Sequence, residues 1–244
     1  MPKGTRVYIE RGAKRAFASA ADWPGWCRSG KDEESALENL AAYAPRYARV
    51  VKLARLELPE NATSFSVVER MNGNATTDFG APGIPAQAEA KPMPAAEARR
   101  MVSLLDACWK YLDQVRAKAP EELRKGPRGG GRDREKMYDH VLGAEVEYAK
   151  GVGVRLKQPN AGNASEVKAF REAIRKGLSQ RKGDGKWPIP YAVRRTAWHA
   201  LDHAWRWKTA YPNSPTLIPL WKSRRVACSS SWPTPTTNRW APGA

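Results

Sequence analysis

The chain has 244 residues, 41% of them hydrophobic and 27% charged, with a formal net charge of +17. That length suits one large or two small domains, and that hydrophobic share suits a packed core. No stretch reaches the roughly 18 consecutive apolar residues of a membrane-spanning helix, and the polar, basic stretch from Met1 to Arg15 lacks the apolar segment of a secretory signal, so membrane-spanning helices are excluded and a cytoplasmic protein is expected.

The first region runs from about residue 1 to 83. Arg6 to Glu10 and Arg15 to Ala20 read as two short strands joined by a turn at Arg11-Gly12-Ala13, and Asp22-Trp23-Pro24-Gly25-Trp26 reads as a loop. Trp23 and Trp26 are expected to pack rather than to contact a ligand. Asp32 to Arg55 has helical periodicity, with Leu37, Leu40, Ala41, Ala44 and Tyr47 on one face. Pro45 lacks the N–H that a helix interior requires, so it should kink this helix or split it. Asp32 is the candidate N-cap, and Glu33 and Glu34 suit the positive end of the helix dipole. Ser64 to Arg70 reads as a further strand.

The run Asp22-Trp23-Pro24-Gly25-Trp26-Cys27-Arg28-Ser29-Gly30-Lys31-Asp32-Glu33-Glu34-Ser35-Ala36-Leu37 resembles the HicB-like antitoxin core. In that family two strands, a Pro-Gly turn and a Gly-containing loop lead into a helix with an acidic start. The resemblance covers about Val7 to Arg70 and implies a region that binds a protein partner; here an oligomerisation or lid role is the expectation.

Residues 84–94 belong to a stretch rich in Gly, Pro and Ala that reads as a linker. Four helices are then expected within residues 95–208. The first spans Ala95 to Lys118, with Met101, Leu104, Leu105, Cys108, Leu112 and Val115 on one stripe. The second spans Asp133 to Gly151. The third spans Ser165 to Gln180, capped by Ser165, with Val167, Phe170, Ile174 and Leu178 inward. The fourth spans Tyr191 to Lys208, after Pro188 and Pro190. Four amphipathic helices with moderate connections predict an antiparallel bundle, and with the strands an α+β chain.

The chain has three histidines. His199 and His203 stand four residues apart on the fourth helix, which places both imidazoles on one face. His140, on the second helix, shares a side with Met137, Val141, Ala144 and Tyr148 and should point inward. Three neutral imidazoles leave a fourth coordination position open, as in catalytic metal sites. Imidazole suits zinc, nickel, iron or copper. Asp139 and Asp202 are candidate acceptors that would orient the imidazoles. Arg195, one turn before His199, is a candidate for holding an anionic group of a substrate. Zinc-protease chemistry is disfavoured, because Ala200 stands where that motif carries its glutamate base. Packed, hydrogen-bonded histidines are the plain alternative to a metal site.

Met137-Tyr138-Asp139-His140-Val141-Leu142-Gly143-Ala144-Glu145 and Ala197-Trp198-His199-Ala200-Leu201-Asp202-His203-Ala204-Trp205 resemble the DinB/YfiT-like superfamily over about Ala95 to Trp205. The resemblance implies an up-down-down-up four-helix bundle and a metal site on His140, His199 and His203. It also implies a transferase or isomerase that uses a low-molecular-weight thiol, with a divalent metal, zinc or nickel first, as cofactor.

Glu121 to Glu135 is glycine-rich and basic. Arg128 and Arg132 make it a candidate anion-binding loop, although the nucleotide P-loop pattern is missing. Three Asn-x-Ser/Thr triplets start at Asn61, Asn74 and Asn163, and without a secretion signal they carry no glycosylation meaning. The three cysteines are widely spaced, with no C-x-x-C, so neither a disulfide framework nor a cysteine zinc site is expected.

Residues 209–244 read as an irregular, basic tail. From Arg206 onward there are six basic residues and no acidic one, so the rest of the chain carries about 17 − 6 = +11. A nucleic acid is therefore not the expected partner, because spread-out basic charge supports only weak, salt-sensitive binding. One back-translation of Arg206 to Thr209, CGA-TGG-AAG-ACC, reads Met-Glu-Asp when moved back one base. A frame-shifted extension after about Trp205 would explain the missing acids, and rereading the gene at that point tests it. The expected partner is a small-molecule substrate, with a homodimer left open. The competing reading is a HicB-like regulatory or protein-binding module with a structural bundle.

Overall fold

A computed structural model describes residues 4–122, 133–179 and 185–209. The candidate anion loop with Arg128 and Arg132 lies outside these residues, as do Cys228 and the tail from residue 210. The described chain is α+β, with one four-stranded sheet and seven α-helices. None of the described helices is long and apolar enough to cross a membrane.

The sheet contains β1 (Thr5–Arg11), β2 (Ala16–Ala20), β3 (Cys27–Gly30) and β4 (Phe65–Asn72), in the order β3-β2-β1-β4. The first three form an antiparallel meander, and β4 returns parallel to β1. Parallel pairing needs a crossover, which α1 (Glu33–Ala42) and α2 (Ala44–Leu53) supply. They are one expected helix split in two. Pro45 sits in the first turn of α2, where its missing N–H costs nothing. Asp32 caps α1 as expected, accepting from Ser35 N at 2.8 Å. The strand β3 was not expected. Cys-Arg-Ser-Gly has no apolar alternation, and only its backbone pairing with β2 makes it a strand.

Both faces of the sheet are covered. Val7, Ile9, Ala16, Ala18 and Ala20 face the same core as Leu40, Tyr47 and Val50. The opposite face, with Phe17 and Cys27, meets Trp198, and Tyr8 packs with Met71 and Ala86. Double coverage explains why β2 is buried along its whole length. Trp26 is fully buried, stacks on Tyr47 at 5.4 Å and donates to Leu40 O, so it packs as expected. Gly25 has φ +90° and approaches so closely that a Cβ would stand 2.8 Å from Leu201 Cδ1. This glycine lets the turn after β2 touch the long helices.

After β4 come α3 (Ala75–Phe79), capped by Asn74, and a 3-10 turn over Gln87–Ala90. The segment read as a linker is strapped to its surroundings. The buried Glu10 carboxylate accepts from Gly83 N at 2.8 Å, Ile84 N at 3.1 Å and the Thr77 hydroxyl.

The long helices are α4 (Ala95–Lys118), α5 (Arg134–Gly151), α6 (Ala164–Ser179) and α7 (Ile189–Thr209). The expected stripe of α4, from Met101 to Val115, is buried throughout. In α7, Pro190 occupies the first turn, so the helix starts before Tyr191. The cap of α6 is a correction. Asn163, not Ser165, accepts from the backbone N–H groups of Ser165 and Glu166, at 3.1 and 3.2 Å. Asn is as good a cap as Ser, and here it also receives the register of the helix start. Sheet and long helices share one apolar core. Cys27 and Cys108 are buried thiols without a bridge, and burial pushes Cys27 up to about 11.

One part of the interior is polar. The Glu145 carboxylate on α5 is 1% exposed, accepts from Trp109 Nε1 at 2.8 Å, and stands 3.8 Å from Arg171 Nε. Burial pushes its pKa up to about 7, against the opposing pull of Arg171 and the Trp109 N–H. The folded state therefore holds this proton more tightly than the unfolded chain. Its stabilising effect is full below about pH 4.3 and is lost as pH rises through about 7. Stability is expected to fall across that window by on the order of 3 kcal/mol. Glu145→Gln should flatten this loss in urea denaturation series at pH 5, 6, 7 and 8. A slope unchanged by the substitution would assign it to other groups.

Candidate metal centre

The helix α7 turns His199 and His203 to one side, and α5 brings His140 against them. The three ring centroids form a triangle with sides of 5.2, 5.1 and 4.5 Å. One nitrogen from each ring lies within 4.8 Å of the other two. His199 Nε2 and His203 Nε2 are 3.1 Å apart. Two nitrogens bound to one tetrahedral zinc at about 2.0–2.1 Å stand roughly 3.4 Å from each other, so that pair is near ligand spacing. A shift on the order of an ångström brings the third to the same distance. His199 and His203 are each 7% exposed, while His140 is half-buried and marks the more open side.

The electrostatics suit a cation. Burial holds the His199 pKa well below its ordinary value, with the neighbouring His203, His140, Arg195 and Arg206 adding to the effect. The imidazole is therefore neutral at neutral pH, with its lone pair available to a metal. The buried His199 Nδ1 has no hydrogen-bond partner among the described residues.

The expected supporting residues are placed differently from one another. The Asp139 carboxylate accepts from Gln158 Nε2 at 2.8 Å. Asp202 is 7% exposed and pairs with Arg206 at 2.8 Å and with Arg28, from β3, at 3.4 Å. Arg195 lies on the histidine side, yet its Nη1 donates to Pro82 O at 2.6 Å. Its guanidinium also stands 5.3 Å from the Tyr148 ring and 4.9 Å from the Trp198 ring. These contacts hold Arg195 as a wall of the site. An anionic ligand would reach it only through what that wall leaves open.

Two neighbours lay beyond sequence reasoning. Tyr148, noted only as sharing the His140 face, sets its ring edge-on to His199 at 5.6 Å. Arg28 reaches Asp202 from a strand that itself went unread, across 174 positions of sequence. The only signal for it is a basic residue following the Trp-Pro-Gly-Trp turn.

The fold and the site define a histidine-only candidate metal centre at the junction of two helices, backed by an α+β scaffold. Comparison with protein-family models, curated proteins and solved structures finds no match for this chain.

Proposed function

We propose that the protein is a divalent-metal-dependent enzyme in which His140, His199 and His203 hold zinc or nickel. We further propose that it acts as a transferase or isomerase on a small-molecule substrate with the help of a low-molecular-weight thiol. The observation that carries this reading is the convergence of the chain's three imidazoles, drawn from two helices and across 203 − 140 = 63 positions of sequence, to within 4.8 Å. The thiol part rests on the resemblance of the His140 and His199–His203 segments to the DinB/YfiT-like superfamily. The strands before them resemble the HicB-like core.

The residues divide the work as follows. The histidines supply three neutral donors and leave a position for a ligand. A bound divalent cation would stabilise a thiolate near neutral pH, giving a nucleophile that a free thiol supplies poorly. Tyr148, Trp198 and the aliphatic part of Arg195 exclude water from the buried side. The alternative of a protein-binding module with a structural bundle gives the three converging imidazoles no role.

The test loads the protein with one equivalent of zinc or nickel. It is then incubated with an electrophilic chlorodinitrobenzene and a panel of cysteine, glutathione and glucosaminyl-cysteine thiols. At least one thiol should disappear about tenfold faster than with the His199→Ala variant, less than the several kcal/mol a bound metal can contribute to a transition state. Thiol consumption no faster than with the His199→Ala variant across the panel, in protein shown to carry metal, would overturn the thiol chemistry and leave the metal centre standing.

A further inference from the structure

The helices α4, α5 and α6 enclose a cavity of about 730 Å³, within the size range of small-molecule sites. None of the three histidines lines it. Six cationic side chains and four carboxylates do. Ion pairs account for part of this charge. Arg171 meets Asp113 at 2.8 Å, Arg175 meets Asp106 at 3.1 Å, and Arg116 and Arg134 both meet Glu135. Lys110 and Lys168, both exposed, have no ion-pair partner among the described residues. The wall therefore carries an excess of two positive charges, at its rim.

The floor is the more telling part. The Arg171 side chain is 9% exposed, and its Nε and Nη2 are buried with no hydrogen-bond partner among the described residues. A guanidinium offers five N–H donors and no acceptor, and burying donors unmet costs free energy on the order of 1–3 kcal/mol each. Glu145 Oε2 stands 3.8 Å from Nε, beyond hydrogen-bond reach, and has no hydrogen-bond partner of its own among the described residues. Apolar side chains would fill this space at less cost. A half-satisfied arginine at the bottom of a cationic cavity fits a ligand that brings negative charge to it.

We infer that this cavity is a second small-molecule site, separate from the histidine cluster. It takes a compact ligand with an oxyanion group, carboxylate or phosphate, which Lys110 and Lys168 meet at the rim and the positive Arg171 guanidinium attracts from the floor. The inference does not rest on the metal reading, since no residue is shared.

The test titrates the metal-stripped full chain at pH 7 with inorganic pyrophosphate and, separately, with succinate, by calorimetry. Saturable one-site binding of at least one probe is expected, and the probe that binds tells phosphate from carboxylate. Lys168→Glu, an exposed change that leaves the core alone, should weaken it about tenfold, as the loss of one charge-assisted contact does. Arg171→Met should weaken it by at least as much, with folding checked by circular dichroism. His199→Ala/His203→Ala should leave it unchanged, as should Lys52→Glu on the exposed side of α2. Absence of saturable binding with both probes would overturn the site, leaving a hydrated polar interior. So would equal losses in Lys52→Glu and Lys168→Glu, which would show only the general field of a +17 chain.

Discussion

Replacing His199 and His203 together by alanine is expected to abolish metal binding. Elemental analysis after reconstitution with zinc or nickel should give about one ion per chain in the wild type and background in the variant, because one remaining imidazole cannot compete with water and buffer. The geometry argues for a large effect. The two rings stand on consecutive turns of α7 with Nε2 atoms 3.1 Å apart, already close to the spacing that one ion imposes. Little reorganisation then opposes binding. A ligand that binds only the folded state stabilises it by about 4 kcal/mol at a thousand times its dissociation constant. Metal should accordingly raise the melting temperature of the wild type and leave that of the double variant where it was. His140→Ala should fall between the two, since it keeps the pair on α7 and loses the third donor. A wild type that takes up neither metal would reduce the cluster to three packed imidazoles and return weight to a protein-binding role.

The sequence made the helices and the histidines legible to different depths. The stripe Met101 to Val115 made α4 legible, because an apolar face of consistent period inside a 24-residue helix leaves no competing register. Asp32 and Pro45 located the start of α1 and the break before α2 through local backbone chemistry alone. Four-residue β3 was illegible, since its identity lies in its partner strand and not in its own side chains. The segment around Glu89 read as a linker because glycine, proline and alanine dominate it. What holds it is long-range, with Glu89 reaching Arg194 across 105 positions and Pro82 reaching Arg195 across 113. The same limit applies at the candidate metal centre. Spacing gave His199 and His203 and helix phase gave His140, but the ring of Tyr148 and the tethering of Arg195 appear only when the elements are assembled. After Trp205, α7 continues through Thr209 and Trp207 is 1% exposed, so the first turn of the basic C-terminal stretch belongs to the packed helix.

Arg194→Met is expected to cost about 3–5 kcal/mol of stability, the range for breaking a buried ion pair by removing one partner. Arg194 is 2% exposed and Glu89 6%. Its Nε and Nη2 donate to the two Glu89 carboxylate oxygens at 2.8 and 2.9 Å, a bidentate fork, and Nη2 also donates to Ile84 O at 3.2 Å. Removing the guanidinium strands a buried carboxylate whose one other hydrogen-bonded donor among the described residues is Ala86 N, at 2.7 Å. Glu89→Gln in the same chain removes the stranded charge and keeps an oxygen for that N–H. The Arg194→Met/Glu89→Gln double variant should therefore recover at least half of the loss. Urea denaturation of the four proteins in a double-mutant cycle gives the coupling directly. Arg194 also leans on the sheet, with Nη1 3.4 Å from Ser19 Oγ, and precedes the residue that walls the histidine cluster. Releasing it loosens the strap that holds Pro82 against Arg195, so metal affinity should drop in Arg194→Met and return in part with the second substitution. A single-variant cost below about 1 kcal/mol, or additive effects in the cycle, would show that the apolar contacts of Tyr8, Met71 and Ala86 hold the strap without the ion pair.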